Sequence, residues 1–128
     1  MYYDELQFSV LVGEKIKKLK IVDNERVNIE TSDGKTYSLY HLQDCCESVL
    51  VYETVGDLND ILNKKIISAT ETVFKNEDPE WYKPEPNSYR DSFTWTIYRL
   101  ETKSGFVEIR WFGESNGYYS ESVYFSEI

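Results

Sequence analysis

The residues best suited to chemistry are an imidazole, a carboxylate and two thiols within six positions, namely His41, Asp44, Cys45 and Cys46, followed by Glu47. Such groups could bind zinc, or a thiolate could act as a nucleophile. The adjacent cysteines argue against both, because neighbouring side chains of an extended segment point to opposite faces, whereas zinc sites use cysteines about two to four residues apart. We expect no metal and no cofactor, and a turn at a strand entrance with one cysteine packed inward. A redox switch is the remaining alternative.

Two pairs of carboxylates have the residue types of an acid and a base, namely Asp57 with Asp60 and Glu114 with Glu121. Catalytic carboxylates need a defined separation and a cleft, and chance pairs are common in a chain with 23 acidic residues. Asp57 is better suited to capping a short helix, where a carboxylate meets unpaired backbone N–H groups. We therefore assign no catalytic residue and lean towards a protein that is not an enzyme.

The last third of the chain is rich in aromatic residues, with Trp95, Trp111, Phe112, Tyr118, Tyr119 and Tyr124 around Arg110. Nucleobases stack on such rings for about 1–3 kcal/mol each, and an arginine can hold a phosphate, so a small nucleotide ligand is chemically reasonable. The same residue types anchor protein interfaces, and tyrosines also fill cross-strand pairs in sheets. We predict that a ligand- or partner-binding surface is bordered by Arg110, Trp111, Asn116, Tyr118 and Tyr119.

The elements that position these residues are predicted to be mainly strands. Alternating or β-branched apolar residues favour strands at Ile16–Val22, Val27–Thr31, Thr36–His41, Ser48–Val55, Ile66–Phe74, around Trp95, around Ile109 and over Tyr118–Phe125. The helical spacing of Leu58, Ile61 and Leu62 indicates a short helix. The predicted fold class is mainly β, with one or two short helices and a mostly antiparallel sheet or sandwich.

A long loop interrupts the second half of the chain, since Lys75–Arg90 holds all three prolines among charged residues. Proline removes a ladder donor and fixes φ, so this segment is not expected to form a strand. We interpret residues 75–90 as an insertion outside the repeated structure. Shortening it to a tight turn is therefore expected to change the melting temperature by only a few degrees.

The sequence also repeats itself in three places. The matches pair Leu11–Ile16 with Ile61–Ile66, Ile29–Gly34 with Leu100–Gly105, and Glu47–Val49 with Glu121–Val123, at displacements of 50, 71 and 74 positions. The displacement grows at the proline-containing loop and at the Gly113–Gly117 turn, where insertions cost least. We predict an internal duplication with pseudo-symmetric units of about residues 4–55 and 56–128, each a short helix followed by four strands.

Composition sets the class of protein. A length of 128 residues fits a single domain over residues 1–128, and 41% apolar residues provide for a core. The formal charge of −9 argues against direct non-specific binding of nucleic acid. No apolar run approaches the roughly 20 residues that span a membrane, and the first residues lack the basic region of a signal peptide. With only two adjacent cysteines, a disulfide-stabilised secreted protein is excluded, so we expect a cytoplasmic protein without membrane contact.

Two segments resemble a family of small uncharacterised domains encoded by bacteriophages and prophages: His41–Val49 together with Gly56-Asp57-Leu58, and Gly117–Val123. The strands around Trp95 and over Ile109-Arg110-Trp111 are also similar, so the resemblance covers roughly residues 11–128 apart from the proline-containing loop. Where that family has Cys-Gly-Asp before the short helix, this chain has Val55-Gly56-Asp57. The resemblance implies a phage origin and carries over no activity.

Three functions are open to such a protein. No nucleophile with a base, no metal spacing and no phosphate loop is found in the sequence, which favours a non-enzymatic binding protein. Combined with the resemblance, we expect an antagonist of host defence that binds either a nucleotide-type signal or a host defence protein. The alternatives are an acidic mimic of nucleic acid that blocks a defence nuclease and a small hydrolase that uses carboxylates or Cys45. Association into a homo-oligomer is left open.

Overall fold

The computed structural model describes residues 4–128, in which two 3₁₀ helices and eight strands follow one another in a repeated order. The first helix, Phe8–Leu11, precedes β1 (Ile16–Val22), β2 (Arg26–Thr31), β3 (Thr36–Tyr40) and β4 (Ser48–Gly56). The second helix, Leu58–Asp60, precedes β5 (Ser68–Lys75), β6 (Ser92–Thr102), β7 (Gly105–Ser115) and β8 (Tyr124–Glu127). No helix in these residues is long and apolar enough to cross a bilayer.

The strands form two antiparallel four-stranded sheets that exchange their fourth strands. In the first sheet β1, β2 and β3 form a meander and β8 lies beside β3, which gives the order β1-β2-β3-β8. In the second sheet β5, β6 and β7 form a meander and β4 lies beside β7. Each half therefore supplies three strands to one sheet and an edge strand to the other. The predicted mainly β, mostly antiparallel fold is confirmed.

The sequence repeat also fixes the register of the first hairpin in each half. Leu19 lies opposite Ile29 between β1 and β2, and Ala69 lies opposite Leu100 between β5 and β6. Leu19 corresponds to Ala69 at the displacement of 50 positions found in the sequence, and Ile29 corresponds to Leu100 at the displacement of 71. The inward-facing residues of the two hairpins are thus equivalent, which lets both meanders bury the same face.

The two halves of the chain also contact each other at Lys15 and Lys65. These residues correspond in the repeat, and they form an isolated antiparallel bridge with each other. Equivalent hydrogen bonds of 2.8 Å flank the bridge, from the N–H of Asn63 to the carbonyl of Ile16 and from the N–H of Gly13 to the carbonyl of Ile66. These two hydrogen bonds therefore join positions that correspond in the sequence repeat.

The core lies between the sheets and is shared by both halves. Val107, Ile109 and Trp111 of β7 point into it, as their period-two spacing predicts. In β6, Tyr98 and Leu100 belong to this core, whereas Trp95 alternates with them and lies on the outer face of the second sheet. Trp95 is nevertheless fully buried. A tryptophan buried on an outer face requires a cover.

The loop between β5 and β6, residues 76–91, supplies that cover, so the segment predicted as an insertion outside the repeat packs against the second sheet. The rings of Trp81 and Tyr82 lie 5.1 and 4.8 Å from the ring of Trp95, measured between centroids. The indole N–H of Trp95 donates to Oδ1 of Asp78 at 3.0 Å. Asp78 also accepts two hydrogen bonds from Arg90, at 2.9 and 2.8 Å. Proline keeps this segment out of the sheet, but its aromatic residues bury the sheet surface.

Candidate functional site

The carboxylate of Glu47 organises the turn before β4. Its Oε2 accepts hydrogen bonds from Nε2 of His41 at 2.7 Å and from the N–H of Asp44 at 2.9 Å, and its Oε1 accepts one from the N–H of Cys45 at 2.9 Å. The side chains of Glu47 and His41 are both buried. The four residues of the predicted second cluster are therefore brought together, with Glu47 at the centre.

These contacts keep Glu47 ionised. Burial raises the pKa of its carboxyl, but the hydrogen bonds from the N–H of Cys45, the ring of His41 and the N–H of Asp44 outweigh burial and lower the pKa to about 2. Both ring nitrogens of His41 face acceptors, since Nδ1 lies 2.7 Å from the carbonyl oxygen of Ser122. The carboxylate thus fastens the turn and is too weakly basic for proton abstraction near neutral pH.

Both cysteines of this turn are exposed, and they are joined to each other by a disulfide. This corrects the expectation that one of them packs inward, because the buried Glu47 carboxylate occupies the interior of the turn. Cys45 contributes to the turn through its backbone N–H. Within residues 4–128, no group of three His, Cys, Asp or Glu side chains is arranged to hold a metal ion. The absence of a metal stays a prediction.

Glu121, the residue that corresponds to Glu47 in the repeat, is buried in the equivalent place before β8. It accepts hydrogen bonds from the hydroxyls of Thr94 and Ser115, in β6 and β7. Burial raises the pKa of Glu121, but these hydroxyl donors outweigh burial and lower the pKa. Gly113 makes room for it, because a Cβ at that position would lie 2.9 Å from the Cβ of Glu121. Both halves therefore anchor their fourth strand with a buried carboxylate.

The turn predicted to border a binding surface lies at the same end of the molecule. β8 begins at Tyr124 and not at Tyr118, so Tyr118 and Tyr119 belong to the turn. Tyr118 is 89% exposed, and Tyr119 is half-buried. Asn116 shapes the turn, since its Oδ1 accepts a hydrogen bond from the N–H of Tyr118 at 3.0 Å.

Two further predicted residues of that surface lie elsewhere. Arg110 precedes Ser115, the last residue of β7, by five positions, which is about 17 Å along an extended strand. Trp111 points to the opposite face from Arg110 and is fully buried in the core. The prediction that Trp111 borders a surface is therefore wrong, because strand alternation places neighbouring residues on opposite faces.

Arg110 belongs to a ladder of alternating charges on the outer face of the second sheet. Its Nε lies 2.8 Å from Glu108 and one of its terminal nitrogens lies 2.7 Å from Glu53. Arg99 continues the ladder, with contacts of 3.1 Å to Glu108 and 2.8 Å to Glu101. Each arginine thus contacts two carboxylates. The guanidinium of Arg110, which the sequence suggested for a phosphate, is therefore paired with Glu53 and Glu108.

The candidate site is the aromatic face beside this ladder, which we define as Tyr52, Trp81, Tyr82, Trp95 and Arg110. Trp81 lies over the guanidinium of Arg110, which is 3.7 Å from the ring centroid. Tyr52 contacts both Trp95 and Tyr82 edge-on, with centroids 5.1 and 5.8 Å apart. Trp95 is sealed beneath the others, while Trp81 is 38% exposed and Tyr52 52% exposed. The result is a partly exposed aromatic surface in which every ring packs against at least one other side chain of the face.

Three residues of this face were not identified from the sequence, namely Tyr52, Trp81 and Tyr82. The signal that could have found two of them is the adjacent pair Trp81-Tyr82 in a charged loop, where large aromatic side chains are uncommon unless they pack or bind. The signal for Tyr52 is weaker. Tyr52 lies at the irregularity of β4 between Val51 and Glu53, where the register shifts by one residue, and sequence spacing does not reveal this shift.

Comparison with known proteins places the chain in a family without assigning an activity. No curated protein and no solved structure matches the sequence. Residues 9–125 match the family described as Domain of unknown function (DUF7448). This span covers nearly the whole chain, including both units and the loop. The protein therefore belongs to the DUF7448 family, which confirms the expectation of an uncharacterised family.

Proposed function

We propose that this protein is a non-enzymatic binding protein, encoded by a bacteriophage, that docks its aromatic face on a host defence protein in the cytoplasm. The observation that carries the proposal is Trp81, which remains 38% exposed while its ring is held over Arg110 and against Trp95. A rigid, partly exposed tryptophan loses little conformational entropy on binding, and such residues are frequent anchors of interfaces.

The charges around the aromatic face indicate the kind of partner. Glu53 lies at the end of the charge ladder, and the covering loop adds the exposed residues Glu77, Glu80 and Glu85. A basic surface on the partner would complement these carboxylates and increase the rate of association. A pure mimic of nucleic acid needs only the charges, so the aromatic anchors favour docking on a protein.

A catalytic function has less support, because of the hydrogen bonds that the buried carboxylates accept. Both buried carboxylates, Glu47 and Glu121, accept hydrogen bonds from several donors and have lowered pKa values. A general acid or base near neutral pH needs the opposite shift of its pKa, towards 7.

The matched element order, register and contacts across the Lys15–Lys65 bridge support an internal duplication of one ancestral unit.

The test is to purify the tagged protein from infected host cells, identify the retained partner by mass spectrometry and measure its affinity for purified variants. Trp81→Ala is expected to weaken binding at least tenfold, with a melting temperature within a few degrees of the parent. Tyr118→Ala, which removes an exposed aromatic side chain outside the face, is the matched control and is expected to change affinity less than twofold. Loss of binding in Tyr118→Ala alone would place the interface at the turn before β8 and overturn the proposal.

A second pair of variants tests the electrostatic part. Glu80→Lys is expected to slow association, and the difference from the parent should shrink at high salt because exposed charges are screened. Glu25→Lys carries the same charge change in the turn between β1 and β2, and it is expected to have a smaller effect. Equal effects of the two variants would mean that overall charge, and not the aromatic face, directs the partner.

A further inference from the structure

Lysines gather in one depression at the end of the molecule where the two halves meet. The depression has a volume of about 400 Å³ and is lined by Lys15, Asn63, Lys64, Lys65, Ile67, Lys103 and Ser104. Among residues 4–128, the lysines that form ion pairs are Lys17, Lys35 and Lys75, none of which lines it. Four lysines without carboxylate partners therefore share one small space in a chain of formal charge −9.

The corresponding place in the first half shows what has changed. There Glu14 corresponds to Lys64, and Asp33 corresponds to Ser104. Both acids form ion pairs with Lys35, whose Nζ lies 3.4 Å from Glu14 and 3.4 Å from Asp33. In the first half, Lys35 is thus neutralised by two carboxylates. In the second half, a lysine stands in place of Glu14 and a serine stands in place of Asp33.

This difference is not required by packing. The hydrogen bonds from Gly13 to Ile66 and from Asn63 to Ile16 are equivalent in the two halves, and the side chain of Lys64 points to solvent, so the fold would accept an acid at this position. Lys64 is exposed, and its Nζ donates to the carbonyl oxygen of Asn59 at 2.8 Å. Like charges held close together repel each other unless an anion balances them. An anion bound in the depression would offset this repulsion.

We propose that this depression binds a small polyphosphate, either free or as the phosphate chain of a nucleotide. Lysine ammonium groups bind phosphate oxygens as point charges, and Asn63 and Ser104 add hydrogen-bond donors. The volume lies within the range of about 300–1,000 Å³ typical of small-molecule sites. Ile67, which is 49% exposed, provides an apolar wall for an attached ring. This site is separate from the aromatic face and does not depend on the function proposed for it.

Isothermal titration calorimetry with tripolyphosphate, ATP and AMP tests the proposal. Tripolyphosphate and ATP are expected to bind one per chain at sub-millimolar concentration and AMP at least tenfold more weakly, because most of the attraction comes from the phosphate charges. Similar affinities for tripolyphosphate and ATP would identify the phosphate chain alone as the ligand. Tighter binding of ATP would add the nucleoside, held against Ile67. No binding of either probe would overturn the proposal.

A matched pair of double variants tests the position of the site. In the first, the residues of the first half replace two lysines of the depression. Lys64→Glu with Lys103→Ser copies Glu14 and Ser32, and we expect it to weaken tripolyphosphate binding at least tenfold. The control, Lys18→Glu with Lys20→Ser, makes the same change of net charge on exposed lysines of β1 outside the depression, and should weaken binding less than twofold. Equal weakening in the two double variants would show non-specific attraction and overturn the site. Circular dichroism melting of both variants confirms that each is folded.

Discussion

The outer faces of the two sheets differ far more than their inner faces do. On the first sheet the outer face is polar and bonded within itself, with Arg26 donating to Ser38 at 3.1 Å and the hydroxyls of Tyr40 and Ser126 2.9 Å apart. On the second sheet the outer face is aromatic and centred on Trp95, and residues 76–91 cover it. The inner faces carry equivalent apolar residues in the same register.

The difference indicates that the loop and the aromatic residues beneath it form one unit. A fully buried tryptophan on an outer face would expose a large apolar area without the loop, and the loop would have little to pack on without the tryptophan. The shared inner scaffold bears the fold, so the outer faces are free to differ. The second sheet therefore carries an aromatic outer surface that the first sheet lacks, while the inner faces of the two sheets pack alike.

The largest effect is expected from removing the cover. Replacing residues 77–90 by a tight turn should lower stability by about 3–5 kcal/mol, the cost of losing the contacts of one buried tryptophan, and the melting temperature by more than about 10 °C. Chemical denaturation and thermal melting measure this. Combining the deletion with Trp95→Thr should recover solubility, since it removes the exposed ring. A melting temperature within a few degrees of the parent would restore the sequence-based view of a dispensable insertion.

The next largest effect concerns the buried carboxylate on the side of the second half. Glu121→Ala should cost about 1–3 kcal/mol because it leaves the hydroxyl of Thr94 buried without its acceptor. Glu114→Ala, an exposed acid close by, is the control and should change stability by less than about 0.5 kcal/mol. Urea unfolding of the two variants decides, and similar values would mean that Glu121 does not anchor β8.

The loss of folding stability at acid pH tests the role of Glu47, the buried carboxylate of the first half. The pKa of Glu47 is lowered to about 2 in the folded chain from an ordinary 4.5, so its stabilisation is complete above about pH 5 and is lost as the pH falls towards 2. Glu47→Gln cannot titrate, and its melting temperature should fall less steeply over that interval than that of the parent. Parallel curves for the two proteins would contradict the assignment.

The smallest effect on stability is expected at the turn before β8. Tyr118→Ala removes a side chain that is 89% exposed, and should change the free energy of unfolding by less than about 0.5 kcal/mol. Tyr119→Ala should cost more, because Tyr119 is half-buried. Comparing the two by urea unfolding shows whether this turn is packed. A large cost for Tyr118→Ala would mean that the tyrosine belongs to the fold.

Most of the strands could be predicted from the sequence repeat and from the period-two spacing of apolar residues, because both are local signals. Matching Glu47 with Glu121 correctly pairs two residues that prove to be buried anchors, and the spacing of Val107, Ile109 and Trp111 identifies a core face. The same alternation could have excluded Trp111 from any surface that contains Arg110. The exchange of β4 and β8 was not predictable, since no local pattern records which sheet an edge strand joins.

The aromatic face was missed for a different reason. Its residues come from β4, β6, β7 and a loop, so they are close in space only after the sheets form. Proline and charge correctly indicated a loop, but these signals describe the backbone and say nothing of where the side chains pack. Arg110 suggested a phosphate contact from its residue type alone, whereas its carboxylate partners Glu108 and Glu53 depend on strand register.

The exchange of fourth strands has a consequence for synthesis on the ribosome. β3 emerges early but its neighbour β8 begins only at Tyr124, so the edge of the first meander stays unpaired while residues 41–123 are translated. At about 5–20 residues per second this interval lasts roughly 4–17 s. An open strand edge is a template for pairing with another chain, and neighbouring ribosomes on one messenger present identical edges. Nascent chains are therefore most exposed to mispairing with each other just before the last strand closes the sheet.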